Sequence, residues 1–195
     1  MRIVLIVAFV CLLVPCLVHA QLPAGSIFVG YSYVNADVPF NNPIQFATPG
    51  RTSLNGWNGS LEIKLLPWIQ GVADFGGHYG TQRVTLTCEA IPVCTPTTVN
   101  ANSNLHTYMF GPQAAVTVGR ITPYAHALFG WAHTTSHTTG FSASDSGFST
   151  ALGGGLDYRL IKGVGWRVQG DYLQTRFFNS TQGNFRFSTG LALHF

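Results

Sequence analysis

Residues 185–195 alternate between two kinds of side chain. The even positions are polar or small, and the odd positions carry no charge and are mostly large and apolar: Phe185, Phe187, Thr189, Leu191, Leu193 and Phe195. A β-strand directs successive side chains to opposite faces, so this segment has one face suited to lipid and one suited to a polar interior. The pattern therefore predicts a membrane-facing strand that ends in an aromatic residue.

The first 20 residues have the order of parts found in a secretory signal. Arg2 provides a positive start, an apolar run follows over 3–14, and Pro15 interrupts it. The small residue Ala20 ends a plausible cleavage site before Gln21. A membrane-spanning helix needs about 20 apolar residues, and this run is shorter. We predict a cleaved signal peptide over 1–20, export through the Sec pathway, and one domain over 21–195.

The composition favours a β-barrel in a membrane. Charged residues make up 9% of the chain, against about 25% in soluble domains. After residue 20 no stretch is long and apolar enough to cross as a helix, and the chain contains 22 glycines. No basic cluster accompanies the net charge of +3, so we expect no nucleic-acid partner.

Eight alternating segments can be drawn along residues 21–195. We predict an all-β fold, an eight-stranded antiparallel transmembrane up-and-down β-barrel. Its connections alternate in length, as in outer-membrane barrels, with long ones at about 36–55, 82–104, 134–146 and 176–184. The predicted strands cover about 26–35, 56–66, 69–81, 105–119, 122–133, 147–159, 165–175 and 185–195.

All charged residues within these segments fall on the face opposite the apolar set. An Arg or Lys facing lipid at the midplane costs about 2–4 kcal/mol, so we place these residues inside the barrel. Four are acidic and four are basic, and buried ions require partners. We therefore predict a largely plugged, polar lumen lined by Glu62, Lys64, Asp74, Asp157, Arg159, Arg167, Asp171 and Arg186.

Aromatic side chains on the opposite face lie near the ends of the predicted strands. Tyr and Trp favour membrane–water boundaries because their rings are part apolar and part polar. We predict one girdle at the end that carries the termini and another at the opposite end. The first contains Trp68, Tyr158, Trp166 and Phe195, and the second contains Trp57, Tyr79, Tyr108, Trp131 and Tyr172.

Two of the four cysteines lie in the predicted signal, which leaves Cys88 and Cys94. A close pair in an exported protein predicts a disulfide, with two free thiols as the alternative. His133 and His137 have a metal-ligand spacing for a helix, but here they lie at the edge of a strand and are interpreted as surface residues. We predict no metal site and no cofactor.

The chain resembles the small bacterial outer-membrane β-barrel proteins of the OmpA-like and OmpX-like kind. The resemblance rests on the signal, the eight segments, the terminal pattern, and the stretches GVADFGG at 71–77 and LGGGLD at 152–157. It implies a place in the bacterial outer membrane, in contact with its lipid. It also implies that the barrel-assembly machinery reads the terminal strand, through Phe187, Leu191, Leu193 and Phe195.

These architectural signatures say little about activity. We expect a structural or surface-exposed role, in envelope integrity, adhesion or loop display, with an external ligand left unidentified. A narrow porin-like channel for ions or small solutes is the alternative. A lipid-modifying enzyme is third, because His137 could combine with Asp145 and a nearby serine: Ser136, Ser142 or Ser144. Serines are so common there that we predict no catalytic residue and no enzyme.

Overall fold

A computed structural model describes residues 24–37, 51–86, 97–138, 141–177 and 180–195. The predicted signal peptide and the Cys88–Cys94 bridge lie outside these residues. The described residues form eight strands: β1 (Gly25–Asp37), β2 (Arg51–Lys64), β3 (Ile69–Leu86), β4 (Thr97–Ala115), β5 (Ile121–Thr138), β6 (Phe141–Ile161), β7 (Val164–Phe177) and β8 (Ser180–His194). No helix among them is long and apolar enough to cross a membrane.

Each strand pairs antiparallel with the next, and β1 pairs with β8 to close the barrel. The predicted eight-stranded antiparallel barrel is thus confirmed. At the closing seam Gly30 lies opposite Gly190. A Cβ atom added to Gly190 would lie 2.3 Å from the Cα of Gly30. Glycine at this position therefore allows the two strands to approach closely enough to pair.

The two ends of the barrel differ. Ala24, Phe195 and the connections 65–68, 116–120 and 162–163 lie at what we call the terminal end. Gly119 and Gly163 adopt positive φ angles of 65° and 81° in two of these turns, a conformation that favours glycine. We call the opposite end the distal end.

Two of the predicted long connections are wrong. Strands β5 and β6 pair as far as Thr138 and Phe141, and β7 and β8 pair as far as Phe177 and Ser180. Only residues 139–140 and 178–179 separate these strands. The segments at 134–146 and 176–184 are rich in polar residues and resemble loops in sequence, but backbone pairing needs no continuous apolar face.

Strands β3–β6 have 18–21 residues each, whereas the other four have 13–15. The last pair between β2 and β3 joins Asn55 to Tyr79, and beyond that level β3–β6 continue. We call this continuation the distal extension; it consists of residues 80–86, 97–103, 136–138 and 141–143.

Outward and inward side chains separate as the sequence predicts. Every aromatic residue of the two predicted girdles points outward, with 37–64% of its surface exposed. In the middle of the strands most alternate positions are buried in the barrel. Apolar side chains thus cover the outside of the barrel.

Candidate functional site

The interior near the terminal end is organised around Arg167 from β7, which is 1% exposed. Its Nε and Nη2 donate to the two carboxylate oxygens of Asp157, both at 2.6 Å. Nη2 also donates to Glu62 Oε2 at 3.0 Å, and Nη1 donates to Glu62 Oε1. Ser26 donates to the same Glu62 carboxylate at 2.6 Å. We call Arg167, Glu62 and Asp157 the Arg167 cluster.

Two aromatic rings surround the guanidinium of this cluster. The Cζ atom of Arg167 lies 5.2 Å from the ring centre of Phe28 and 4.8 Å from that of Tyr124. Both distances are within the range of cation–π attraction. The Tyr124 hydroxyl donates to Gln169 Oε1 at 2.9 Å, which connects this cluster to the next layer of polar residues.

The second layer is organised around Arg186 from β8, which is fully buried. Its Nη1 donates to Asp74 Oδ1 and its Nε to Asp171 Oδ2, both at 2.7 Å. Asn58 donates to Asp74 Oδ2 at 2.9 Å, and His126 Nε2 lies 2.8 Å from Asp171 Oδ1. We call Arg186, Asp74 and Asp171 the Arg186 cluster.

These two clusters contain six of the eight charged residues that the sequence places in the lumen. Lys64 and Arg159 do not join them. They lie two residues beyond Glu62 and Asp157 along their strands, which brings them to the exposed rim of the terminal end. His78 also faces inward, and its Nε2 lies 2.8 Å from Ser32 Oγ.

Sequence reasoning missed an apolar layer in the distal half of the lumen. We call it the distal layer, and it lies on the inward positions of several strands. Leu128 follows His126 by two residues, and Leu173 follows Asp171 by two. Because every second residue of a strand faces the same side, counting in steps of two from each polar residue would have identified both leucines as inward-facing. The layer is formed by Val34, Ala36, Leu54, Leu105, Met109, Leu128, Ala132, Ala151, Leu173 and Phe177, all buried.

Of the residues considered for catalysis, His137 lies opposite Ser142 where β5 pairs with β6. Asp145 lies opposite Thr134, three residues from His137 along β5, and therefore on the other face of the sheet. Ser136 Oγ lies 3.0 Å from Ser103 Oγ, and the Asp145 carboxylate accepts the backbone N–H of Ser146 at 2.8 Å. The described residues also contain no group of three or more metal-ligating side chains.

Comparisons with known proteins agree with this architecture. Among solved structures, Ail, the attachment invasion locus protein of Yersinia pestis, was solved in complex with the heparin analogue sucrose octasulfate. It matches with a TM-score of 0.54 and 15% identity, covering 88% of this chain and 99% of that one. Neisserial surface protein A matches with a TM-score of 0.58 and 11% identity, over 88% and 99%. At these identities the likeness concerns the fold.

A search of curated protein sequences finds no match. The family model described as "Outer membrane protein beta-barrel domain" matches residues 8–195, which is nearly the whole chain. Together with the closed eight-stranded barrel, its apolar exterior and its buried ions, this match establishes that the chain belongs to the outer membrane protein beta-barrel domain family.

Proposed function

We propose that this protein is a non-conducting outer-membrane barrel that anchors a polar surface structure outside the cell. Its role would be structural or adhesive rather than catalytic. The observation that carries the proposal is the filling of the lumen by two arginine clusters and the distal layer.

Conduction would require water and ions to pass both kinds of layer. In each cluster one guanidinium bonds to two carboxylates, so opening a path there would separate buried ions from their partners. Separating such a pair costs several kcal/mol, because it leaves an uncompensated charge. The distal layer offers no charged partner to a passing ion, although uncharged buried side chains such as Thr107 and Asn184 lie beside it, and apolar constrictions disfavour water. These features favour a closed lumen over a narrow channel.

The distal extension supports a role in display. Its neighbouring strands are linked by polar side chains: Thr81 donates to Asn102 at 2.8 Å, and Ser103 and Ser136 lie 3.0 Å apart. Such a surface suits water better than lipid. Outer-membrane barrels have short turns on the periplasmic side, so we infer that the terminal end faces the periplasm and the distal end the exterior. The fold it shares with Ail, the attachment invasion locus protein of Yersinia pestis, is consistent with adhesion.

The terminal strand supports the expected route of insertion. Phe187, Leu191, Leu193 and Phe195 point outward, with 38–52% of their surfaces exposed. They would be accessible to the barrel-assembly machinery, and afterwards they would contact lipid. Export through the Sec pathway belongs to the same proposal.

Conductance in planar lipid bilayers tests the closed lumen. We expect the refolded protein to insert without stable conductance steps. A variant with Leu105, Leu128 and Leu173 changed to Ser should admit ions more readily, because it makes the distal layer polar. The outward residues Leu61, Leu152 and Leu156 changed to Val provide a control that leaves the lumen intact. A stable open state of the unaltered protein would establish the channel alternative instead.

A further inference from the structure

A cavity of about 740 Å³ opens at the terminal end. Its volume lies within the range of small-ligand sites, about 300–1,000 Å³. Four basic side chains line it: Lys64, Arg120, Arg159 and Lys162. We call this cavity the terminal vestibule.

The fold brings these cations together from four separate segments. Lys64 and Arg159 are on inward positions at the ends of β2 and β6, whereas Arg120 lies in the β4–β5 turn and Lys162 in the β6–β7 turn. The backbone N–H of Arg159 donates to the carbonyl of Arg120 at 2.8 Å, which holds two of the four segments side by side.

None of the four cations has an ion-pair partner among the described residues. Glu62 and Asp157 border the vestibule, but both carboxylates already bond to Arg167. The Arg167 cluster retains one net negative charge, against four positive charges at the rim. All four basic residues are also exposed, so a solute that enters the vestibule can reach them.

We propose that the terminal vestibule binds a multivalent anion that carries phosphate groups. Arginine presents a fork of donors that matches phosphate oxygens, and lysine adds a mobile point charge. A cleft lined by charges of one sign, with walls of low dielectric constant, concentrates the opposite ion. The amide of Gln70 also lines the vestibule, and Gln113 Nε2 donates to its Oε1 at 3.1 Å, which holds it in place.

The phosphate could belong to a soluble polyphosphate in the periplasm or to the headgroup of an anionic phospholipid. Both present the same chemistry to the vestibule. The proposal does not depend on whether the lumen conducts, because the vestibule opens at one end of the barrel.

Calorimetric titration of the refolded barrel with inorganic pyrophosphate, in zwitterionic detergent at fixed ionic strength, tests the site. We expect saturable binding that weakens at least tenfold in the double variant K64Q/R159Q. The matched control R51Q/R176Q removes the same charge from exposed residues near the distal end and should change affinity less than twofold. Heat-modifiable gel mobility confirms that each variant is folded.

Competition then identifies the source of the phosphate. If the occupant is a headgroup, dihexanoyl phosphatidylglycerol should displace pyrophosphate while dihexanoyl phosphatidylcholine should not. If neither lipid competes, the vestibule takes a soluble anion. Two results would overturn the proposal: no saturable pyrophosphate binding to the folded wild-type barrel, or equal weakening by the two double variants.

Discussion

Replacing Arg167 with methionine tests whether its cluster stabilises the barrel. Methionine keeps an unbranched apolar chain against Phe28 and Tyr124 but removes the guanidinium. Glu62 and Asp157 would then remain buried without their shared cation. We expect Arg167→Met to lower the free energy of unfolding by about 3–5 kcal/mol, the usual cost of breaking a buried ion pair from one side.

The contacts of Arg167 are consistent with the upper part of that range. Four hydrogen bonds join it to two carboxylates, and two aromatic rings lie within 5.2 Å of its Cζ atom. A hydrogen bond to a charged group contributes about 1.5–3 kcal/mol, and a cation–π contact about 0.5–2 kcal/mol. These values are not additive, because desolvation of the three ions opposes them.

Denaturant titration of the barrel in lipid vesicles measures the change. Folding can be followed by heat-modifiable gel mobility and by the fluorescence of Trp57, Trp68, Trp131 and Trp166, all of which are exposed on the outside of the barrel. Arg159→Met is the matched control. It removes the same group from an exposed position with no ion pair, so we expect a change within about 0.5 kcal/mol.

A triple variant separates charge from packing. Changing Glu62 to Gln and Asp157 to Asn in the Arg167→Met background removes every charge of the cluster. If uncompensated charge causes the loss, the triple variant should be more stable than Arg167→Met alone. The reasoning is refuted if the triple variant gains nothing, or if Arg167→Met and Arg159→Met lose equal stability.

Two further predictions concern packing. Leu128→Ala should lower the free energy of unfolding of the barrel by about 2–5 kcal/mol in the same denaturant titration, because Leu128 is 1% exposed in the distal layer. The control Ser144→Ala changes an exposed residue and should leave the stability unchanged. Gly190→Val should prevent closure of the β1–β8 seam, seen as loss of the heat-modifiable band, because a Cβ there meets the Gly30 backbone at 2.3 Å. Gly59→Val is its control, because a Cβ atom at Gly59 would lie 3.4 Å from its nearest neighbouring atom, an ordinary contact distance. If the two glycine variants folded equally well, close approach at Gly190 would not be what the β1–β8 seam requires.

The sequence contains a strong signal for the strands in the membrane and a weak one for their distal ends. In β8, Phe185, Phe187 and Leu191 alternate with Arg186 and polar or small residues, because lipid and the lumen impose different chemistry on the two faces. Beyond the membrane both faces meet water, and that constraint disappears. Residues 134–138 are polar throughout, so only the pairing of β5 with β6 reveals them as a strand.

The polar residues of the barrel interior could be predicted from the sequence, whereas the apolar ones could not. Arg167 and Asp157 contrast with their outward neighbours and mark the lumen directly. Leu128 lies between Ala127 and Phe129, so the local pattern does not alternate and the inward residue has no distinguishing chemistry. The sequence also could not predict the pairing of carboxylates with arginines. Glu62 and Arg167, for example, come from β2 and β7, which are far apart in sequence.

The two kinds of lumen layer would have separate physical effects. The ion clusters join distant strands, since Arg167 connects β7 to β2 and β6, and Arg186 connects β8 to β3 and β7. Polar clusters can nevertheless exchange a partner for water, so they are weak barriers to ions once a side chain is removed. The distal layer contains no charged residue, and its packed apolar side chains disfavour water and ions. Loss of an arginine should therefore reduce stability without opening a path, while polar substitutions in the distal layer should lower the barrier to ions. A barrel whose arginine variants conducted while its distal layer remained intact would show that this division is wrong.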